Sequence, residues 1–93
     1  MAVQAYVLVD CAPGKPFQIV EALRKLPAVQ MAHAVTGSYD VIVFVQAESM
    51  AELGDLLSRH IHRLPGIVKT TTNVVVEKTA PRGSTDRNPG RQA

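Results

Sequence analysis

A chain of 93 residues, 46% of them hydrophobic, holds enough material for one small folded unit and not for two. Residues 1–78 balance seven Lys/Arg (Lys15, Arg24, Lys25, Arg59, Arg63, Lys69, Lys78) against seven Asp/Glu (Asp10, Glu21, Asp40, Glu48, Glu52, Asp55, Glu77), so the formal +2 sits in the last fifteen residues. That balance excludes an electrostatic footprint for a phosphate backbone on the folded part, and the lone Cys11 excludes an internal disulfide.

No apolar run approaches the roughly 18–20 residues of a membrane span, and the start MAVQAYVLVD lacks a basic leader. A soluble, cytoplasmic domain over residues 1–78 is expected. The remainder, 79–93, carries two Pro, two Gly and three Arg with no large apolar side chain, and is expected to be a disordered basic tail.

Val3 to Asp10 alternates, with Val3, Ala5, Val7 and Val9 on one face and Tyr6 and Leu8 on the other, the pattern of a strand. APGK is a turn, and Pro16 suits the first turn of a helix, where its missing N–H costs nothing. Ile19, Val20, Leu23 and Leu26 then form the apolar stripe of a helix ending before Pro27. Val29 to Thr36 and Asp40 to Ala47 read as a second and a third strand. Ser49 and Glu52 make a capping box that opens a second helix. Its stripe is Leu53, Leu56, Leu57, His60, Ile61 and Leu64, halted by Pro65-Gly66, and Ile67 to Glu77 is the last strand. The segments RKLPAV and HRLPGIV echo each other, each closing a helix and opening a strand. The order βαββαβ, in two related halves, predicts an α+β, ferredoxin-like sandwich with both helices on one face of an antiparallel sheet.

Such a sheet leaves its second face to solvent, which calls for alternating polar residues there. Instead Val41 to Val45 is apolar at five successive positions, and Tyr6, Leu8 and Val74 to Val76 add to the surplus. Burying a large apolar side chain contributes roughly 1.5–3 kcal/mol, so four to six left wet would forgo several kcal/mol. A second copy, sheet against sheet in a two-fold dimer, is the expected cover.

The connection Thr36-Gly37-Ser38-Tyr39-Asp40 admits two readings. It is a hairpin turn, in which Gly supplies positive φ and Ser, Thr and Asp bond nearby backbone. Or it docks a zwitterion: the Asp40 carboxylate for an ammonium, backbone N–H groups and threonine hydroxyls for a carboxylate, Tyr39 as an apolar wall. A second polar run, Thr70 to Asn73, places Thr70 and Thr72 on one face of the last strand, where threonine is also at home for its β-propensity alone.

AYVLVDCAPG, HAVTGSYDVIVFV and LPGIVKTTTNVVVE together resemble the effector-binding domain of the Lrp/AsnC feast/famine regulators, over about Val3 to Glu77. The resemblance rests chiefly on Thr-Gly-x-Tyr-Asp at residues 36–40 and Pro-Gly-Ile-x-x-Thr-x-Thr at 65–72. It implies a dimeric α+β barrel, further assembly into octamers or similar rings, and an amino acid or related small effector bound between subunits. By motif, Gly37, Tyr39, Asp40, Thr70, Thr72 and Asn73 would be the ligand-binding residues, with no cofactor and no catalytic residue. Ser38 stands where many members carry an acidic residue, a departure at the tip of the first motif. The chain begins within the family unit's first strand, so a helix-turn-helix and direct nucleic-acid binding are not expected; it resembles the family's stand-alone effector domains, which act either by assembling with a full-length regulator or by binding metabolites alone.

His60 and His62, two apart on a helix, point about 200° apart and would not share a metal ion. His60, on the apolar stripe, is expected in the core or an interface. Cys11 has no Lys, Arg or His beside it in sequence and is expected to be inert. Two other functions compete. One is a small dimeric α+β barrel enzyme of monooxygenase or isomerase type, with His33 or His60 as base in a pocket between sheet and helices. The other is an interaction-only module that binds no small ligand.

Overall fold

The structure, a computed structural model, describes residues 2–76. Its elements are β1 (Val3–Cys11), α1 (Pro16–Leu23), β2 (Val29–Ala34), β3 (Val41–Ala47), α2 (Met50–Leu56) continued by a π turn (Leu57–Ile61), and β4 (Ile67–Val74). The strands form one antiparallel sheet in the order β2-β3-β1-β4. This is the ferredoxin-like α+β arrangement. The expected tail at 79–93 and the expected end of the last strand at Glu77 lie outside the described residues.

The alternation read from β1 and β3 sets the two faces. Ala5, Val7 and Val9 pair across with Val45, Val43 and Val41, and all six are fully buried. Ile19, Val20 and Leu23 of α1, Leu53 and Leu56 of α2, and Ile61 press on them from the helix side. On the other face Tyr6 pairs with Phe44 and Leu8 with Ile42. The Tyr6 and Phe44 rings are tilted together at 4.8 Å between centroids, yet Tyr6 stays 42% exposed, on the face away from the two helices. Val74 does not belong to this open face: it pairs with Ala5 on the helix side. An unbroken apolar run carries no alternation from which to read its face.

The helix ends follow local chemistry. α1 stops at Leu23, a turn earlier than the apolar stripe suggests. Pro27 disfavours helical backbone at Leu26, and the chain tightens into i→i+3 bonds, Lys25 N–H to Ala22 O and Leu26 N–H to Leu23 O. Arg24 turns its guanidinium onto Ala32 O of edge strand β2, at 3.1 and 2.7 Å, covering an unpaired carbonyl there. Ser49 Oγ caps α2 by accepting from Glu52 N–H at 3.1 Å, and Glu52 Oε1 accepts from Glu48 N–H at 2.8 Å. The capping box therefore closes one residue earlier than its usual form. The two echoed segments make the same turn, Val29 N–H to Leu26 O and Ile67 N–H to Leu64 O.

The π turn corrects the expected stripe. His62 N–H donates to Leu57 O at 2.8 Å, an i→i+5 step that inserts one residue per turn. Ile61 thereby takes the buried position that a regular helix would give to His60, and His60 is exposed.

Gly66 closes the turn before β4 at φ 95°, and a Cβ there would meet Lys15 Cβ at 3.2 Å and Ile19 Cδ1 at 3.4 Å. Gly66→Ala is expected to cost about 1–3 kcal/mol in denaturant unfolding, from left-handed backbone and crowding together. Gly54→Ala, in open space on α2, is expected to gain about 0.5–1 kcal/mol in the same measurement.

Candidate functional site

One end of the sheet gathers the β2–β3 connection, the end of β1 and the start of β4. Three hydrogen bonds lock Asp40 there. Its N–H donates to Val9 O at 2.9 Å, its carbonyl accepts from Val35 N–H at 2.9 Å, and its Oδ2 accepts from Cys11 N–H at 2.9 Å. Alongside, Ala12 N–H donates to Gly66 O at 2.8 Å. Asp40 thus bonds backbone, as the turn reading expects, but the backbone it holds is 29 residues away in β1. Oδ1 carries no hydrogen bond among the described residues. Gly37, at φ 122°, supplies the left-handed backbone that lets the connection turn.

Beside this connection lies a groove of about 260 Å³, lined by Pro16, Phe17, Ala34, Val35, Thr36 and Asp40. Its apolar wall is Phe17, 78% exposed at the start of α1, and Val35, not the half-buried Tyr39. Phe17 lies outside both polar runs read from the sequence, so nothing there singled it out.

The β4 residues stand elsewhere. Thr70 and Thr72 pair with Val9 and Val7 on the helix face, as their shared parity requires, while Asn73 pairs with Tyr6 on the open face. Thr70 flanks Val9 on the side opposite Asp40, about two strand spacings or ~10 Å across the sheet. The structure therefore brings Gly37, Tyr39 and Asp40 together and leaves Thr70, Thr72 and Asn73 on a separate strand. Thr70 has a partner unseen in the sequence, His62, whose Nε2 lies 2.8 Å from its Oγ1.

Neither candidate base of the enzymatic reading faces a pocket between sheet and helices. His33, on the exposed edge strand, pairs with Ile42 on the open face, with Arg24 Nη2 3.4 Å from its Nδ1. His60 is turned to solvent by the π turn. Among the described residues no group of three His, Cys, Asp or Glu side chains is placed to hold a metal, and no helix is long and apolar enough to cross a membrane.

The Cys11 Sγ–H points to the same Asp40 Oδ2, at 3.7 Å. Partial burial first, then the Asp40 charge and hydrogen bond, raise the thiol above its ordinary range.

A family model described as the Lrp/AsnC ligand binding domain matches residues 4–85. The leucine-responsive regulatory protein of Haemophilus influenzae is 37% identical over 68 residues, covering 70% of this chain and 41% of that protein. An HTH-type transcriptional regulator of Pyrococcus abyssi is 32% identical over 71 residues, covering 76% of this chain and 45% of its own length. The chain thus spans less than half the length of these curated relatives. Among solved structures, TTHA0845 from Thermus thermophilus matches with a TM-score of 0.78 at 30% identity, covering 86% of this chain and 99% of that one. Two more distant likenesses, of fold alone, are to proteins solved with L-methionine. The transcriptional regulator NMB0573 of Neisseria meningitidis has a TM-score of 0.73 at 19% identity, over 89% of this chain and 55% of that one. The feast or famine regulatory protein Rv3291c of M. tuberculosis has 0.70 at 20%, over 89% and 56%.

A raised thiol holds less thiolate at a given pH, so Cys11 is expected to react with iodoacetamide at pH 8 more slowly than free cysteine (ordinary pKa about 8.5). Asp40→Asn removes the charge and leaves the burial, and is expected to speed alkylation without reaching the free rate. Mass-spectrometric time courses of both proteins check this.

Proposed function

The chain belongs to the Lrp/AsnC family, and on that premise we propose that it is an effector-binding regulatory domain, not an enzyme, that takes a free amino acid between its subunits. The observation that carries this reading is the open sheet face. Tyr6, Leu8, Ile42 and Phe44 form an apolar layer that the two helices do not reach. Covering it with a second copy makes a dimer, and dimers of this shape join further into a ring.

Subunit contact also addresses the separation of the two polar sets. The groove beside Asp40 has no β4 residue in its lining. A site built by two subunits sets the Gly37–Asp40 connection of one against the Thr70, Thr72 and Asn73 strand of another. In that site the free Oδ1 of Asp40 takes the ammonium, N–H groups around Gly37 and the threonine hydroxyls take the carboxylate, and Phe17 and Val35 wall the side chain. The two fold relatives solved with L-methionine support an amino acid as the class of ligand.

Binding regulates only if affinity differs between assembly states, so the effector acts by favouring one assembly, of copies of this chain or of this chain with a full-length regulator in the cytoplasm.

A thermal-shift screen against the twenty amino acids tests this. At about ten times its Kd, a true effector adds about 1.4 kcal/mol, which raises the Tm of a domain this small by about 6–10 °C. Asp40→Asn keeps an acceptor for Cys11 N–H, and is expected to fold but lose the shift. No amino acid raising the wild-type Tm at millimolar concentration would refute the effector reading.

A further inference from the structure

The His62–Thr70 contact has no part in holding the core, since His62 is exposed and Thr70 half-buried at the sheet edge. The i→i+5 bond from His62 N–H to Leu57 O fixes where the chain leaves the π turn, and the imidazole reaches β4 with Nε2 2.8 Å from Thr70 Oγ1. A threonine hydroxyl has one proton and two lone pairs. If Nε2 is bare, Thr70 donates its proton inward and shows only lone pairs to a neighbour. If Nε2 carries a proton, Thr70 accepts it and its own proton is free to point outward. A protonated imidazole leaves only the second arrangement.

We infer that His62 is a positioning residue of the effector site: when protonated, it obliges Thr70 to present its hydroxyl proton to the carboxylate of the bound amino acid. The inference rests on the proposed role of Thr70 as an effector contact and goes beyond it, to a residue outside both family motifs. The surrounding charges leave the imidazole without an internal counter-charge. On its own segment stand His60, Arg63 and Arg59, the last paired with Asp55 at 2.8 Å. From α1's approach, Lys15 packs on Gly66. On β4, Lys69 lies on the opposite face, across from Asp10 of β1. No carboxylate pairs with His62 among the described residues. A ligand carboxylate at Thr70 therefore meets both a hydroxyl donor and a nearby cation.

Histidine is the side chain whose charge changes between about pH 5 and 8, a window in which a zwitterionic amino acid keeps both its charges. Calorimetric titration of the full chain with L-methionine and with L-leucine, between about pH 5.5 and 8, tests the inference. Wild type is expected to bind about three- to tenfold more tightly at the acid end, the worth of one hydrogen bond. His62→Gln and Thr70→Val are each expected to flatten that slope, and Thr70→Ser, which keeps the hydroxyl, to preserve it. In the ligand-free protein, the 15N shift of His62 Nε2 is expected to move on Thr70→Val. Equal slopes in wild type and His62→Gln, or an unmoved 15N shift, would overturn this inference and leave the amino-acid reading standing. A wild type that binds none of the twenty amino acids at any pH would overturn both.

Discussion

The fold depends on one arithmetic of faces. A four-stranded sheet has two sides, and two short helices cover one. Val7, Val9, Val41, Val43 and Val45 are driven to full burial on that side. The same strands carry Tyr6, Leu8, Ile42 and Phe44 at the alternate positions, and pleating sends these to the other side without choice. Tyr6 is 42% exposed and Leu8, Ile42 and Phe44 remain partly exposed, so covering this face would bury the apolar surface they still show. Self-association is the cover proposed for this surface, and the proposed function rests on it, because a site shared by subunits exists only where subunits meet.

Both the tertiary closure and the candidate site lie at the same end of the sheet. Asp40 joins the β2–β3 connection to β1 through Val9 and Cys11, and Gly66 joins β1 to the turn before β4 through Ala12. These bonds hold the connection on rigid strands, with Gly37 giving the turn and the groove opening beside Phe17. The carboxylate has two oxygens. One is spent on structure, with the thiol and amide of Cys11 as its partners, and the other accepts no hydrogen bond among the described residues.

Much of this was legible in the residues. Alternation in Val3–Val9 assigned the faces of β1, Pro16 and Ser49 placed the helix starts, and the paired Leu-Pro segments marked the two helix-to-strand turns. What stayed hidden was long-range or depended on register. Nothing near Cys11 in sequence announces Asp40, 29 residues on. The π turn is a tertiary compromise that seats Ile61 and expels His60, and helical spacing alone assumes a regular helix throughout. Val74 to Val76 offered no alternation, so the face of Val74 was decided by pairing with Ala5. The β4 threonines were visible as a row, but the separation of Thr70 from Asp40 across β1, and the approach of His62, are properties of the folded chain.

The central claim, that the open face is a subunit contact, is tested most directly by sedimentation velocity at micromolar concentration. The account predicts that wild type sediments at twice the 10.0 kDa chain mass or a multiple of it, and that Phe44→Asp sediments as a folded species of one chain mass. A wild type that is well folded and monomeric at that concentration would contradict it.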